Sequence, residues 1–396
     1  MSNRWAVLAL IMAAQTMANV GPLGIPSIAP LIREKLDLSV AQAGSFLSAY
    51  YVGPVLMSLP AGWLADRWGV RGAMILGQAL IALGLFGAAA ASSFPLLIGI
   101  LVLAGAGYGV LNPTTTKAGM AWFPPRQRAT IVGLKQMGLP FGGALGALVM
   151  PPLALALGWR SAVAVAAAVV GGLALLTWAL YRDLPDPPTA APARGQTAFW
   201  MVMGNRDLWL VGSSTLIFAG VQTVFLAFLV LYLHDIIHIP LVTAAEYLVA
   251  AQVSGSIGRV VFGMLSDRLF GGRRRIVLTI AGLGSIACSL GLSATTPGNG
   301  PPLLIPLAVS IGFFGVGWNG VQHTLMAELA GPRAAGTAVG LGLAISSLGV
   351  TVCPPVFGLV TERLGGFGGA WVALAVGMAL GLLLLIPVRE RPMLAT

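Results

Sequence analysis

Twelve apolar stretches, separated by short polar or Gly/Pro-rich breaks, run along the chain. About twenty residues at a rise of about 1.5 Å cross the roughly 30 Å of hydrocarbon in a bilayer, so each stretch predicts a transmembrane helix. The predicted spans are 5–32, 40–64, 72–92, 95–120, 129–156, 161–181, 207–233, 242–266, 276–296, 302–327, 338–360 and 369–388. The first is too long for a signal-peptide core and no cleavage site follows it, so it is expected to stay in the membrane. One longer polar linker carries the run RDLPDPPTAAPARG and separates two sets of six spans. The pattern therefore predicts an all-α integral membrane protein with an N-terminal half (1–181), a cytoplasmic linker (182–206) and a C-terminal half (207–396).

Inside several spans the polar residues recur at helical spacing, so each set shares one face. Gln252, Ser256, Arg259 and Gly263 stripe the eighth span; Asn319, Gln322 and His323 share a face of the tenth, and Asn112, Thr115 and Thr116 a face of the fourth. Gln15 and Asn19, with Pro22 and Pro26, give the first span a polar face that breaks easily, and Thr215, Phe218, Gln222 and Phe225 stripe the seventh. Tyr51, Tyr108 and Trp318 are candidates to touch the body of an organic ligand.

Composition agrees with the pattern: 57% of the residues are hydrophobic and 9% charged, too little charge for a soluble domain or a disordered chain. Lys plus Arg number 22 against 12 Asp plus Glu. With a cytoplasmic N-terminus, fifteen of the cations fall on the cytoplasmic side and four (Arg33, Lys35, Arg160, Arg363) on the outer side. That asymmetry predicts both termini in the cytoplasm of a bacterial inner membrane, and it removes nucleic acid as a partner. Cys288 and Cys353 fall within spans, so neither a disulfide nor a metal site is implied.

The loop after the second span carries Gly62, Asp66, Arg67, Gly69 and Arg71; the loop after the eighth carries Gly263, Asp267 and Arg268, which superimpose on Gly62, Asp66 and Arg67 at an offset of 201, and Arg273, one position beyond the mate of Arg71. Asn112, Pro125, Arg126 and Gly133 meet Asn319, Pro332, Arg333 and Gly340 at an offset of 207. Parallel repeats of this kind build some secondary transporters. On these residues the whole chain resembles the major facilitator superfamily, whose hallmark G-x-x-x-D-[RK]-x-G-x-[RK] is intact in the first loop and slightly degraded in the second. The resemblance implies that Asp66, Arg67, Arg71, Asp267, Arg268 and Arg273 form cytoplasmic gates. A carboxylate there also complements the positive N-terminal ends of the fifth and eleventh helices, and Arg71 or Arg273 can share it. The run Gly138, Pro140, Gly142, Gly143 is similar to the glycine/proline motif of exchangers, interrupted by Leu139.

Three cations, Lys117, Lys135 and Arg259, lie within spans and no carboxylate joins them. A mid-membrane cation costs about 2.5–3.5 kcal/mol on the insertion scale and turns toward a partner or an aqueous pathway, so a supplied anion is the natural counter-charge. Arg259 lies about 12 Å along the helix from Asp267, near the midplane, and its planar fork suits a carboxylate. Nitrate/nitrite, oxalate/formate and monocarboxylate porters, which this chain resembles, carry an eighth-span arginine for the anion. A nitrate porter would repeat it at Ser58, and an oxalate-type porter would carry an eleventh-span lysine; this chain has neither. It offers Lys135 instead, whose repeat mate is Gly342, and one cation in each half could clamp an anion. Lys117 is the weaker candidate.

The reading is a secondary transporter of a small organic anion, a carboxylate, working by alternating access as a functional monomer. Anion import against a negative-inside potential costs about 2.3 kcal/mol per 100 mV, so import requires proton coupling or exchange; His323 is the proton-carrier candidate. The candidate substrate residues are Arg259, Lys135, Asn112, Asn319, Gln222, Tyr51, Trp318, Tyr108, Asn19 and Gln252. An inorganic-anion porter, an amphiphilic-drug exporter and a non-transporting sensor with the same fold stay open. No catalytic constellation, cofactor site or nucleotide loop is present in the pattern, so an enzyme or a nucleotide-driven pump is not expected.

Overall fold

A computed structural model describes residues 3–57, 64, 68–123, 131, 134–183, 200–331 and 334–390, and among these every regular element is helical. Ten helices are long and apolar enough to cross a membrane: Arg4–Leu36, Gly69–Ala90, Phe94–Gly119, Leu134–Leu157, Trp159–Leu180, Arg206–Asp235, Leu241–Leu269, Arg274–Ser293, Pro301–Ala330 and Thr337–Arg363. The second span is described as Val40–Met57 and the twelfth as the shorter Phe367–Leu383, which completes the twelve-helix order. Most of the interhalf linker, 184–199, lies outside the described residues.

Local chemistry accounts for the helix ends and interruptions. Asn3 and Asn205 cap the first and seventh spans, their side chains accepting from the backbone N–H of Trp5 and Asp207 at 2.9 and 3.0 Å. The first span passes through a 3-10 turn, Ile25–Ile28, where Pro26 has no N–H to give to an α-helical ladder. The eighth span ends in a π turn, Leu265–Leu269, which carries Asp267.

The chain forms two compact units. One comprises Met1–Pro187 with Leu233–Asp235 and Ile239–Val249; the other comprises Pro188–Tyr232, Ile236–His238 and Ala250–Thr396. In the first, Asp235 accepts from the Arg33 guanidinium at 2.5 Å and meets His234 Nδ1 at 2.8 Å.

Within each unit the helices approach through glycine. A methyl group on Gly105 would stand 1.8 Å from the Tyr50 carbonyl oxygen, and one on Gly312 would stand 1.8 Å from the Ala251 carbonyl oxygen. Gly105 and Gly312 are 207 residues apart, and Tyr50 and Ala251 are 201 apart, which are the two offsets of the sequence repeat. The same main-chain contact thus joins the second span to the fourth and the eighth to the tenth. The glycine run of the fifth span has a similar packing role: methyls on Gly142 and Gly146 would stand 2.3 and 2.2 Å from the Thr16 and Val20 carbonyl oxygens of the first span.

Candidate functional site

In the first unit a polar cluster forms around Lys135, on the turn of helix that opens the fifth span. Its side chain does not reach up to headgroups; the residue is 1% exposed. The ammonium donates to the Asn112 carbonyl at 2.8 Å, to Asn112 Oδ1 at 2.6 Å and to Thr116 Oγ1 at 2.7 Å. Asn112 and Thr116 are one helical turn apart on the fourth span, so both can face it. All three ammonium hydrogens are used, and every acceptor is a neutral oxygen. Among the described residues no ion pair involves Lys135. The hydrogen bonds satisfy its geometry without cancelling its charge.

The cluster extends to the first span. Gln15 Nε2 donates to Tyr108 Oη at 2.7 Å and to Asn112 Oδ1 at 3.5 Å, and Thr115 Oγ1 donates to Gln15 Oε1 at 3.4 Å. Asn19 is fully buried; its amide donates to the Gln15 carbonyl at 2.6 Å, while its Oδ1 has no hydrogen-bond partner among the described residues. Tyr50, also fully buried, has its ring centroid 5.7 Å from both Tyr51 and Tyr108. Lys117 lies farther along the fourth span and is partly buried.

The second unit repeats part of this arrangement. Asn319 Nδ2 donates to Gln222 Oε1 at 2.9 Å, and the two residues are separated by 97 positions, as are Gln15 and Asn112. Trp318 is buried with its ring 5.3 Å from Phe218, and its indole N–H is spent on the Gly315 carbonyl at 3.0 Å, so it offers a face rather than a donor. Gln322 is buried, and among the described residues neither of its amide atoms has a hydrogen-bond partner. Such an orphaned pair calls for a water or a ligand. Gly342, the repeat mate of Lys135, lies beside it, where a methyl would stand 3.0 Å from Gln322 Nε2. Arg259 and His323 are both partly buried. Gln252 is buried, its carbonyl accepting from Ser256 Oγ at 3.0 Å.

At the end of the eighth span the residues expected to form a gate are paired differently from the sequence expectation. Arg274, not Arg273, holds Asp267; it also donates to Ser266 Oγ at 2.9 Å and pairs with Glu328 Oε1 at 3.1 Å. Arg268 and Arg273 are exposed. The reason is positional: Arg274 is the first residue of the ninth helix and is 9% exposed at its side chain, whereas Arg273 is left in the loop. Asp66 and Arg67 lie outside the described residues. Arg71 bonds through its backbone N–H to Asp183 at 3.0 Å and through its guanidinium to the Trp178 carbonyl.

Sequence reasoning did not single out Tyr50, Arg274 or Glu328 as site residues, and it left Thr116 and Gln15 as features of the polar faces of the fourth and first spans. A signal for Gln15 existed: Gln222, a candidate, lies 207 positions later.

Comparison with known proteins agrees with this architecture. A model of the Major Facilitator Superfamily matches residues 5–349. The chain is 29% identical to an uncharacterized MFS-type transporter of Mycobacterium tuberculosis (strain ATCC 25618 / H37Rv), covering 98% of this chain and 86% of the relative. It is 27% identical to the probable sulfoacetate transporter SauU of Cupriavidus necator, covering 92% and 89%. The nucleoside transporter NupG has a similar fold, with a TM-score of 0.82 at 16% identity over 98% of this chain and 100% of that one. Twelve apolar helices in two repeated sets, a hallmark loop and a family match over most of the length lead to one assignment: the chain belongs to the Major Facilitator Superfamily and is an integral membrane transporter, not an enzyme.

Proposed function

We propose that the chain is a secondary active transporter of a small organic anion, a carboxylate, in the bacterial inner membrane with both termini cytoplasmic. The observation that carries this reading is the buried Lys135 ammonium, bonded only to neutral oxygens among the described residues. A membrane-buried charge without an internal counter-charge favours the arrival of an opposite one, as at Lys135, and Arg259 in the second unit is the further cation we propose as an anion ligand. The relative described as a probable sulfoacetate transporter supports an organic anion as cargo.

Asn112, Tyr108, Asn19 and Tyr51 would line the substrate's path in the first unit; Asn319, Gln222, Gln252 and Trp318 would do so in the second. His323 is the proposed proton carrier. Protonation of the imidazole and arrival of an anion at the second-unit cation Arg259 would be linked through their charges. Transport would proceed by alternating access, as proton symport or anion exchange, by a monomer.

Counterflow in proteoliposomes tests the reading. A panel of labelled mono- and dicarboxylates and sulfonates is expected to include at least one substrate, and Lys135→Met and Arg259→Ala are each expected to abolish its accumulation. Equal counterflow by both variants, or counterflow confined to cationic or neutral solutes, overturns it.

A further inference from the structure

The second unit also carries a group of arginines that the proposed transport site does not use. A cavity of about 620 Å³ opens in the second unit where the start of the seventh span, the start of the ninth and the segment after the twelfth converge; Arg206, Arg275 and Arg389 line it, with Asn205 and the single carboxylate of Asp207. Its wall is fixed. The Arg275 guanidinium donates to the Ile386 and Val388 carbonyls at 2.9 and 2.7 Å, and the Arg275 backbone N–H donates to Glu390 at 2.5 Å. Arg206 and Arg389 are exposed. Two helices begin here, and their N-terminal ends add partial positive charge. Three guanidiniums against the Asp207 carboxylate in the lining and the Glu390 carboxylate on the Arg275 backbone still leave a net positive cradle, and guanidiniums bind phosphate oxygens through paired donors.

The surroundings favour a lipid as the source of that phosphate. Ile386, in the lining, is 65% exposed, and Leu383 and Trp209 on the adjoining helices are also exposed. The Trp209 indole N–H is spent on the Met203 carbonyl at 3.0 Å, its ring is exposed, and it lies three residues after Arg206 on the same helix. Exposed apolar side chains beneath a tryptophan and arginines mark the boundary between acyl chains and headgroups. Basic pockets between helices on the cytoplasmic side recognise anionic headgroups. We propose that the Arg206–Arg275–Arg389 cavity binds the phosphate of an anionic phospholipid, with Arg206 and Arg389 as its ligands and Arg275 as the fixed wall.

The test is the thermal unfolding midpoint of the purified full chain in detergent, titrated with phosphatidylglycerol or phosphatidylcholine in mixed micelles. Phosphatidylglycerol is expected to raise the midpoint and phosphatidylcholine is not. At about fivefold per arginine, the double variant R206Q/R389Q should need about 25-fold more phosphatidylglycerol for the same shift. R363Q, at the far end of the eleventh span, should respond as the parent does. Equal shifts with the two lipids, or a double variant with unchanged phosphatidylglycerol response, overturn the proposal. So does an equal shift from inorganic phosphate at the same concentration, which would make the ligand a soluble anion. Should the double variant not be obtained folded, R206Q and R389Q alone must each weaken the response about fivefold, and unchanged responses in both overturn it.

Discussion

The Lys135 ammonium holds both the main-chain and the side-chain oxygen of Asn112, joining the fifth span to the fourth through one residue. Asn112 gives the ammonium a dipole without a charge, and that distinction is testable. Asn112→Asp would place a carboxylate within reach of Lys135 and supply from inside the protein the counter-charge proposed to come from the substrate. Apparent substrate affinity in counterflow should fall by about 10- to 150-fold, the range expected for losing a hydrogen bond to a charged group. Asn112→Gln should fall less. An Asp variant that transports as well as the Gln variant contradicts the proposed anion role of Lys135.

Arg259→Lys separates charge from geometry. Lysine keeps the positive charge but loses the planar fork that grips a carboxylate through two bonds. We expect the variant to bind with KM raised about tenfold or more while retaining measurable transport, whereas Arg259→Ala should transport nothing above background. Equal KM values for the parent and the Lys variant would remove bidentate recognition.

The cluster at the end of the eighth span makes an ordering prediction. Asp267 is 63% exposed and its pair with Arg274 is screened, whereas Glu328 is 31% exposed and meets a guanidinium that is 9% exposed. Glu328→Gln should therefore destabilise the protein by about 1–2 kcal/mol and Asp267→Asn by less than about 1 kcal/mol, read from chemical unfolding in detergent. The reverse order would mean that the hallmark aspartate, not the tenth-span glutamate, anchors Arg274.

Gly105→Val and Gly312→Val should be equally damaging, because each side chain would meet a carbonyl oxygen of the neighbouring helix at the same distance. Overpacking of this kind costs about 3 kcal/mol or more, since main chain cannot step aside as a side chain can. Markedly different unfolding midpoints for the two variants would show that the repeat is not mirrored in packing.

The twelve-helix order was legible because hydrocarbon thickness imposes a length on every span, and the two offsets were legible because the repeated residues sit in loops and at close helix contacts. Lys135 was legible as a cation in an apolar stretch. Its orientation was not, since a lysine stem can turn either inward or toward headgroups and helix rise alone does not distinguish the two. Thr116 was marked on a polar face but not as a partner of Lys135, because threonine commonly bonds its own helix, as it also does here with the Asn112 carbonyl at 3.0 Å. Arg274 was passed over for Arg273 because alignment of a loop motif does not reveal where the next helix starts.

The glycine contacts also bear on how the molecule can change shape. Where two helices touch through side chains, an interface can slip from one interdigitation to another. Where they touch through bare backbone, as at Gly105 with Tyr50 and at Gly312 with Ala251, there is no second set of knobs to fall into. The second and fourth spans, and likewise the eighth and tenth, should then travel as welded pairs, which leaves the work of opening and closing to other seams.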